Sequence, residues 1–271
     1  MRIGFIGAGN MANSLIRGLL AKRITPSNIL ASDIDTEKLT LLQTECGVTL
    51  ADNKTIAEQA DVVILAVKPQ AMYTVCQELG QAAASNQALY LSIAAGITIA
   101  HLEKWLGPHI PIVRCMPNTP ALVGKGATAL VANPRVSAEQ TTLAGDILSA
   151  VGLSLWLDDE SAIDAVTALS GSGPAYFFLL METMQDVARD MGLAPEVAKV
   201  LTYQTALGAA ELALKSELGT AELRRQVTSP GGTTEQAINQ FETGGFRALV
   251  SKALMAAHKR SQELAEAFGE K

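Results

Sequence analysis

Arg2-Ile3-Gly4-Phe5-Ile6-Gly7-Ala8-Gly9-Asn10-Met11-Ala12 stands near the start of the chain, and its reading decides the fold of the first half. The residues up to Ile6 form a short apolar run of β type. Helical spacing of apolar residues sets in after the glycines and continues to about Leu20. Between them lies G-x-G-x-x-A, the small-residue fingerprint of a strand–turn–helix unit that binds a dinucleotide. Gly7 supplies the tight turn, Gly9 lets a pyrophosphate approach the backbone, and Ala12 keeps the helix close to the strand. Another strand-like run, residues 28–32, follows at the spacing of a βαβ unit.

Outward from this unit the alternation continues. Residues 2–6, 28–32, 48–50, 62–66, 88–93, 112–115, 127–131 and 153–157 read as strands, several of them nearly continuous apolar runs of the kind covered on both faces. Segments between them, such as 36–46 and 69–84, carry helical spacing. Residues 1–158 are therefore expected to form an α/β dinucleotide-binding (Rossmann-like) domain with a doubly wound sheet. After Asp158-Asp159 the period is helical throughout, over 162–168, 174–191, 195–216, 221–227, 234–244 and 246–268. Residues 159–271 are expected to be an all-α helical bundle. Its apolar stripes are wide for a lone small bundle, so self-association is expected there.

In an open parallel sheet, ligands sit at the carboxyl ends of the strands. Lys68-Pro69 follows the strand 62–66, with Lys68 placed either to contact a ligand or to stand as a surface lysine. Ala94, Ala95 and Gly96 follow the next strand and permit close approach of a flat ring. Arg114, inside a strand, either binds an acid or pairs with a carboxylate. Met116-Pro117-Asn118-Thr119-Pro120 fixes a loop with Asn118 and Thr119 facing the cleft. At the second strand, Ser32 at the ribose position would welcome a 2′-phosphate, whereas Asp33 there would favour NADH. Both cofactors are expected to work, with the preference given to NADPH.

A second signal lies at Ser229-Pro230-Gly231-Gly232-Thr233-Thr234. This stretch cannot continue a helix, yet both flanks are helical in spacing, so it reads as a tight elbow. Gly231 and Gly232 are expected to turn backbone N–H groups toward one point, where Thr233 and Thr234 add hydroxyls. Either threonine can also cap the helix that follows. Backbone donors at a helix N-terminus suit a small anion such as a carboxylate.

Composition narrows the classes. The 27 acidic residues outnumber the 21 basic ones, for a net charge of −6. That balance, with no basic cluster, makes nucleic acid and anionic membrane poor partners. The apolar stretch 79–102 is interrupted by Gln81, Ser85, Asn86, Gln87 and Gly96 and is no membrane span. No targeting peptide is expected ahead of the fingerprint, and a cytoplasmic location follows. Cys46, Cys76 and Cys115 match neither a disulfide framework nor a zinc site, so no metal is expected. His101, His109 and His258 are scattered and belong to no nucleophilic triad.

Taken together, the chain resembles pyrroline-5-carboxylate reductases over its full length. The resemblance rests on Ile6-Gly7-Ala8-Gly9-Asn10-Met11, Ala66-Val67-Lys68-Pro69, Ala94-Ala95-Gly96, Met116-Pro117-Asn118-Thr119-Pro120, Leu169-Ser170-Gly171-Ser172-Gly173-Pro174-Ala175-Tyr176 and the elbow from Ser229 to Thr234. It implies reduction of 1-pyrroline-5-carboxylate to L-proline by hydride from NADPH or NADH. It also implies that Ile6 and Gly7 to Met11 hold the pyrophosphate, while Ser32 and Asn53 contact the adenosine. Ala66, Val67, Lys68 and Pro69, with Ile93, Ala94 and Ala95, would line the dinucleotide. Ser229, Gly231, Gly232, Thr233 and Thr234 would hold the substrate, with Thr234 nearest the ring nitrogen and in the catalytic position. The helical domain would build an intertwined homodimer, which in the family assembles further, up to a decameric ring of dimers. The chain departs from the family at Thr220 and Arg225, where proline and aspartate are usual.

Two other readings compete. A hydroxyacid dehydrogenase of similar build wants a lysine or histidine acid on the helical domain, and Lys199 and Lys215 sit in no distinctive motif. A non-catalytic dinucleotide sensor would have no use for the elbow.

Overall fold

The computed structural model describes residues 1–269. Eight strands form one sheet: β1 (Ile3–Ile6), β2 (Ile29–Ser32), β3 (Thr49–Leu50), β4 (Val62–Leu65), β5 (Leu89–Ser92), β6 (Ile112–Met116), β7 (Gly126–Ala132) and β8 (Gly152–Trp156). Their order across the sheet is β3-β2-β1-β4-β5-β6-β7-β8. β1 therefore lies between β2 and β4, with Ile3 paired to both Ile29 and Val62. The chain winds one way from β1 and then the other, so the ends of β1 and β4 flank the switch point where α/β sheets bind ligands.

The linking helices are α1 (Asn10–Ala21), α2 (Thr36–Cys46), α3 (Asn53–Gln59), α4 (Pro69–Ser85), α5 (Ile99–Leu106) and α6 (Ala138–Leu148). Alternate residues of each strand supply two separate cores. Phe5, Ile29, Ile64, Leu91 and Val113 pack with α1 on one face, while Ile6, Leu30, Val63, Leu65 and Tyr90 pack with α3, α4 and α5 on the other. Burial of both faces explains why these strands read as unbroken apolar runs.

Doubly wound alternation gives way at the far edge. β7 runs antiparallel to β6, with Arg114 opposite Val131, and β8 is parallel to β7. No crossover helix joins β6 to β7, only the short loop with the 3-10 turn Thr119–Val123. A parallel neighbour requires a long crossover, so the chain reverses here.

Beyond the sheet come α7 (Ala162–Val166), a π-helical turn (Thr167–Gly171), α8 (Gly173–Asp190), α9 (Pro195–Lys215), α10 (Thr220–Gln226), α11 (Thr233–Thr243) and α12 (Phe246–Gly269). The change from strands to helices thus falls where the sequence pattern changes, near residue 158. Packing divides the chain elsewhere, into Met1–Ser172 together with the chain from Ala257 onward, and Gly173–Ala256. α7 belongs with the sheet because Ile163 is buried in its core, and Phe268 of α12 packs against that core too.

The second unit is helical and presents much apolar surface. Phe177, Phe178, Leu179, Leu201, Leu207 and Leu249 are each more than half exposed. The stretch Ala162–Asp190 is long and apolar enough, by length and composition alone, to cross a membrane.

Candidate active site

The glycine-rich turn has the shape of a cradle. Gly7 has φ +102°, and a Cβ there would lie 2.6 Å from the carbonyl oxygen of Ala66. Only glycine closes β1 against the end of β4 in this way. Gly9 differs, since a Cβ there would meet no atom within 4 Å. Its small size leaves open space on the outer side of the turn. Gly9 is also the N-cap of α1, with no side chain capping the helix and no acidic residue in the first turn. The first-turn N–H groups have no partners within the helix and sit at its positive end. These residues fit a pyrophosphate, and Ile6 and Gly7 to Met11 stand around the place it would take.

Beside the cradle, the structure separates Ser32 from Asp33. Ser32 is buried, and its hydroxyl donates to Asn53 Oδ1 at 2.6 Å. Asn53 Nδ2 in turn donates to Glu78 Oε2 at 3.1 Å. The Asp33 carboxylate instead faces the glycine turn, where Oδ2 accepts the Ala8 N–H at 2.6 Å and Oδ1 accepts the Asp35 N–H at 2.9 Å. The serine hydroxyl is thus directed toward Asn53, at the end of β2.

Ala66, Val67, Lys68 and Pro69 continue from β4 into α4. The Ala66 N–H donates to the Ile6 carbonyl at 2.8 Å, tying this strand end to β1. Pro69 begins α4, and Lys68 is its exposed N-cap residue. Among the described residues the Lys68 ammonium has no ion-pair partner, leaving a positive charge at the strand end. Ile93, Ala94 and Ala95 follow β5, the first held by an N–H bond to the Leu65 carbonyl at 3.2 Å. Behind them, a Cβ on Gly96 would lie 3.1 Å from the Phe268 ring, so α12 backs this loop.

Two polar residues prove to be structural: Arg114 takes the carboxylate-paired alternative, and Asn118 departs from its expected place facing the cleft. Arg114 is buried and its Nη1 donates to Glu160 Oε1 at 2.8 Å. The same oxygen accepts the Ile99 N–H at 2.8 Å, so one carboxylate fastens β6, the start of α5 and the approach to α7. Asn118 does not face a cleft with free polar atoms. Its Nδ2 donates to the Ser170 carbonyl at 3.0 Å and its Oδ1 accepts the Ala127 N–H at 2.8 Å, which clamps the reversal between β6 and β7.

In the second unit, the elbow joins α10 to α11. Gly231 has φ +71°, the left-handed conformation that lets the chain turn there. α11 begins at Thr233 with Gly232 as N-cap and no side-chain cap, so neither threonine caps it. Nor are the glycine N–H groups free: Gly231 N–H donates to Glu235 Oε2 at 2.8 Å and Gly232 N–H to the Ser229 carbonyl at 3.0 Å. The donors left for a ligand are the first-turn N–H groups and hydroxyls of Thr233 and Thr234. Glu235 escaped the sequence reading, though its position three residues after the N-cap is where a capping-box acid reaches back. Arg225, one of the two departures from the family pattern, is ion-paired with Glu222 on its own helix.

Other candidate groups are structural. His101 joins a capping box with Thr98 and stacks on Trp105 at 5.5 Å. Burial, and then the Arg114 charge, hold its pKa below the usual value. All three cysteines are buried, and desolvation pushes the Cys76 thiol up to about 12 and Cys115 higher still. Among the described residues no three His, Cys, Asp or Glu side chains cluster as metal ligands do.

Known proteins resemble this chain over its full length. Residues 160–264 match the family described as pyrroline-5-carboxylate reductase dimerisation, and residues 2–96 match the NADP oxidoreductase, coenzyme F420-dependent family. A pyrroline-5-carboxylate reductase of Pseudomonas aeruginosa is 57% identical, over 99% of this chain and 98% of its own. One from Haemophilus influenzae is 41% identical, over 98% of each chain. A solved pyrroline-5-carboxylate reductase of Coxiella burnetii superposes with a TM-score of 0.92 at 48% identity, covering 97% of this chain and 98% of that one. A Plasmodium falciparum pyrroline carboxylate reductase with NADP bound has a TM-score of 0.86 at 30% identity, over 98% of each chain. On the fold, the cradle and this full-length identity, the chain belongs to the pyrroline-5-carboxylate reductase family.

Proposed function

We propose that this chain reduces 1-pyrroline-5-carboxylate to L-proline with NADPH, NADH also serving, as the last step of proline biosynthesis. The observation that carries this reading is the 57% identity to a pyrroline-5-carboxylate reductase over 99% of the chain. The bound cofactor supplies a hydride. Ile6 and Gly7 to Met11 hold its pyrophosphate at the start of α1, Asn53 and Ser32 support the adenosine end, and Ala66 to Pro69 with Ile93 to Ala95 line the rest. Thr233 and Thr234 offer N–H and hydroxyl donors to the substrate carboxylate, on a backbone shaped by Ser229, Gly231 and Gly232. Thr234 donates to the ring nitrogen of the neutral imine, or accepts from the N–H of the protonated imine and orients the ring. A protonated imine is already electron-poor, so the residues' task is to bind and align it, and alignment alone can lower such a barrier by several kcal/mol, on the order of 7–11 in the best cases.

Residues 1–158 serve as the dinucleotide-binding domain and 159–271 as the helical substrate-binding and dimerisation domain. The match to a dimerisation family over residues 160–264 supports self-association, in which a second copy covers the apolar helix faces. We read the assembly as a homodimer able to build a decameric ring. The acidic balance favours neither nucleic acid nor membrane, and we place the protein in the cytoplasm.

One assay tests the activity: NAD(P)H consumption with pyrroline-5-carboxylate, beside NAD(P)+ reduction with 2-hydroxy acids. Turnover of the imine is expected. Turnover of a hydroxy acid alone would point to a dehydrogenase, and none at all to a sensor. A light-scattering mass near 28.5 kDa at micromolar concentration would refute the dimer.

A further inference from the structure

We propose that Phe268, near the end of α12, is a positioning residue for the cofactor site. Its ring seats the turn that follows β5 and so holds Ala94 and Ala95 in the shape that receives the dinucleotide. The inference rests on the cofactor reading of residues 93–95 and adds to it a residue that acts on the loop, not on the cofactor.

The loop's composition explains why it needs support. Ala94, Ala95 and Gly96 carry almost no side chain with which to anchor themselves. Gly96 takes φ +75°, the left-handed conformation, and glycine loses more conformational freedom on being ordered than any other residue. Packing from outside must offset that loss, and α12 supplies it. A Cβ on Gly96 would lie 3.1 Å from Phe268 Cδ2 and 3.4 Å from Leu264 Cβ. The ring and the residue one turn before it on the same helix face therefore close around the place of the missing side chain. The next residue of α12 reaches the other end of the loop. A Cβ on Gly269 would lie 2.6 Å from His101 Nε2, and His101 Nδ1 accepts the Thr98 N–H at 3.2 Å. The helix end is itself fastened: buried Ser261 donates to Asp164 Oδ1 at 2.6 Å, and Phe268 packs on the core between the sheet and α3 to α5. The end of α12 thus grips Gly96 directly and Thr98 through His101. A loop released from this grip would bind cofactor only in the fraction of molecules that keep the competent shape, and the apparent Kd would rise in inverse proportion.

The test uses the full-length protein. NADPH binding is read from the fluorescence of the reduced nicotinamide, and amide hydrogen exchange of residues 94–98 is followed without cofactor. Phe268→Ala should raise the Kd for NADPH about tenfold, as for a loop that keeps its binding shape about a tenth of the time. Exchange at Ile97 and Thr98 should quicken by a similar factor, with β1 and β4 keeping their wild-type rates. Phe268→Leu retains an apolar contact and should hold the rise in Kd to about threefold. KM for the imino acid at saturating NADPH should stay at its wild-type value, because the elbow holds that substrate. A thermal melt accompanies each variant. A residue that merely packs the core would lower Tm and leave both the Kd and the local exchange unmoved, and that result overturns the proposal. So does exchange that quickens evenly over the whole first unit. If Phe268→Ala does not fold, Phe268→Leu decides, an unmoved Kd refuting the role. Failure of the wild type itself to bind NADPH would overturn the cofactor reading, and the positioning role with it.

Discussion

Removing the carboxylate of Glu160 is a demanding test of how the strand-end loops are held. In Glu160→Ala, Arg114 keeps its charge while only 3% exposed and loses the oxygen that receives its Nη1, and the Ile99 N–H loses its acceptor as well. Stranding a buried charge costs about 3–5 kcal/mol. Because the Glu160 side chain is 27% exposed, water can enter the space it leaves, and the lower end of that range applies. The Ile99 N–H lies in a first helical turn and can be hydrated, adding less than about 1 kcal/mol. The sum is about 3–4 kcal/mol, which for a unit of this size lowers Tm by roughly 6–16 °C. Urea unfolding at one fixed protein concentration measures it, since self-association makes stability concentration-dependent. Glu160→Gln keeps an acceptor for both donors and should recover more than half of the loss. Because Ile99 begins the helix after the loop 93–98, Glu160→Ala should also weaken NADPH binding. A change in unfolding free energy below about 1 kcal/mol would refute the idea that Arg114 depends on this partner.

Three further outcomes follow from the site. Thr234→Ala should lower kcat by roughly 10- to 150-fold, the worth of one hydrogen bond to a charged group, with Thr234→Ser retaining most activity. Since Thr234 caps no helix, its melt should match wild type, and an unchanged kcat would remove it from catalysis. Glu235→Gln keeps an acceptor for the Gly231 N–H but removes a negative charge beside the threonine donors, so KM for the imino acid should fall about two- to fivefold with kcat constant. An unmoved KM would mean the substrate carboxylate binds away from the elbow. His101 has a pKa below its ordinary 6.5 in the folded protein, so the unfolded chain takes up the proton first. Its contribution to stability is therefore intact above pH 6.5 and lost as pH falls through the lower folded value. Denaturant titrations from pH 7.5 to 5.5 should show this decline, flattened in His101→Gln, and an identical slope in both would contradict it.

The sequence by itself determined where the eight strands and the helices of the second half lie. Four- and five-residue apolar runs bounded by turns are enough to place β1, β4 and β5, because burial on both faces demands unbroken apolar side chains. Helical period located α8 to α12 within one or two residues, and the cradle was legible because Gly7 and Gly9 act through backbone shape a few residues away. Partner choice at long range was not legible. Arg114 could be read only as a charge inside a strand, since Glu160 lies 46 residues on. Which of Ser32 and Asp33 turned outward depended on Asn53 and on the Ala8 N–H, groups brought close by the pairing of β1 with β2 and the packing of α3. The reversal of β7 and the return of α12 to the first unit likewise reflect the shape of the assembled sheet, not any local preference. Even the elbow, placed correctly by its glycines, took its free donors from the fold. Once Glu235 reached back to Gly231, only the threonines were left to bind. Local sequence fixes backbone shape through short-range sterics, whereas a polar side chain's partner is set by whatever the tertiary structure places within hydrogen-bonding reach.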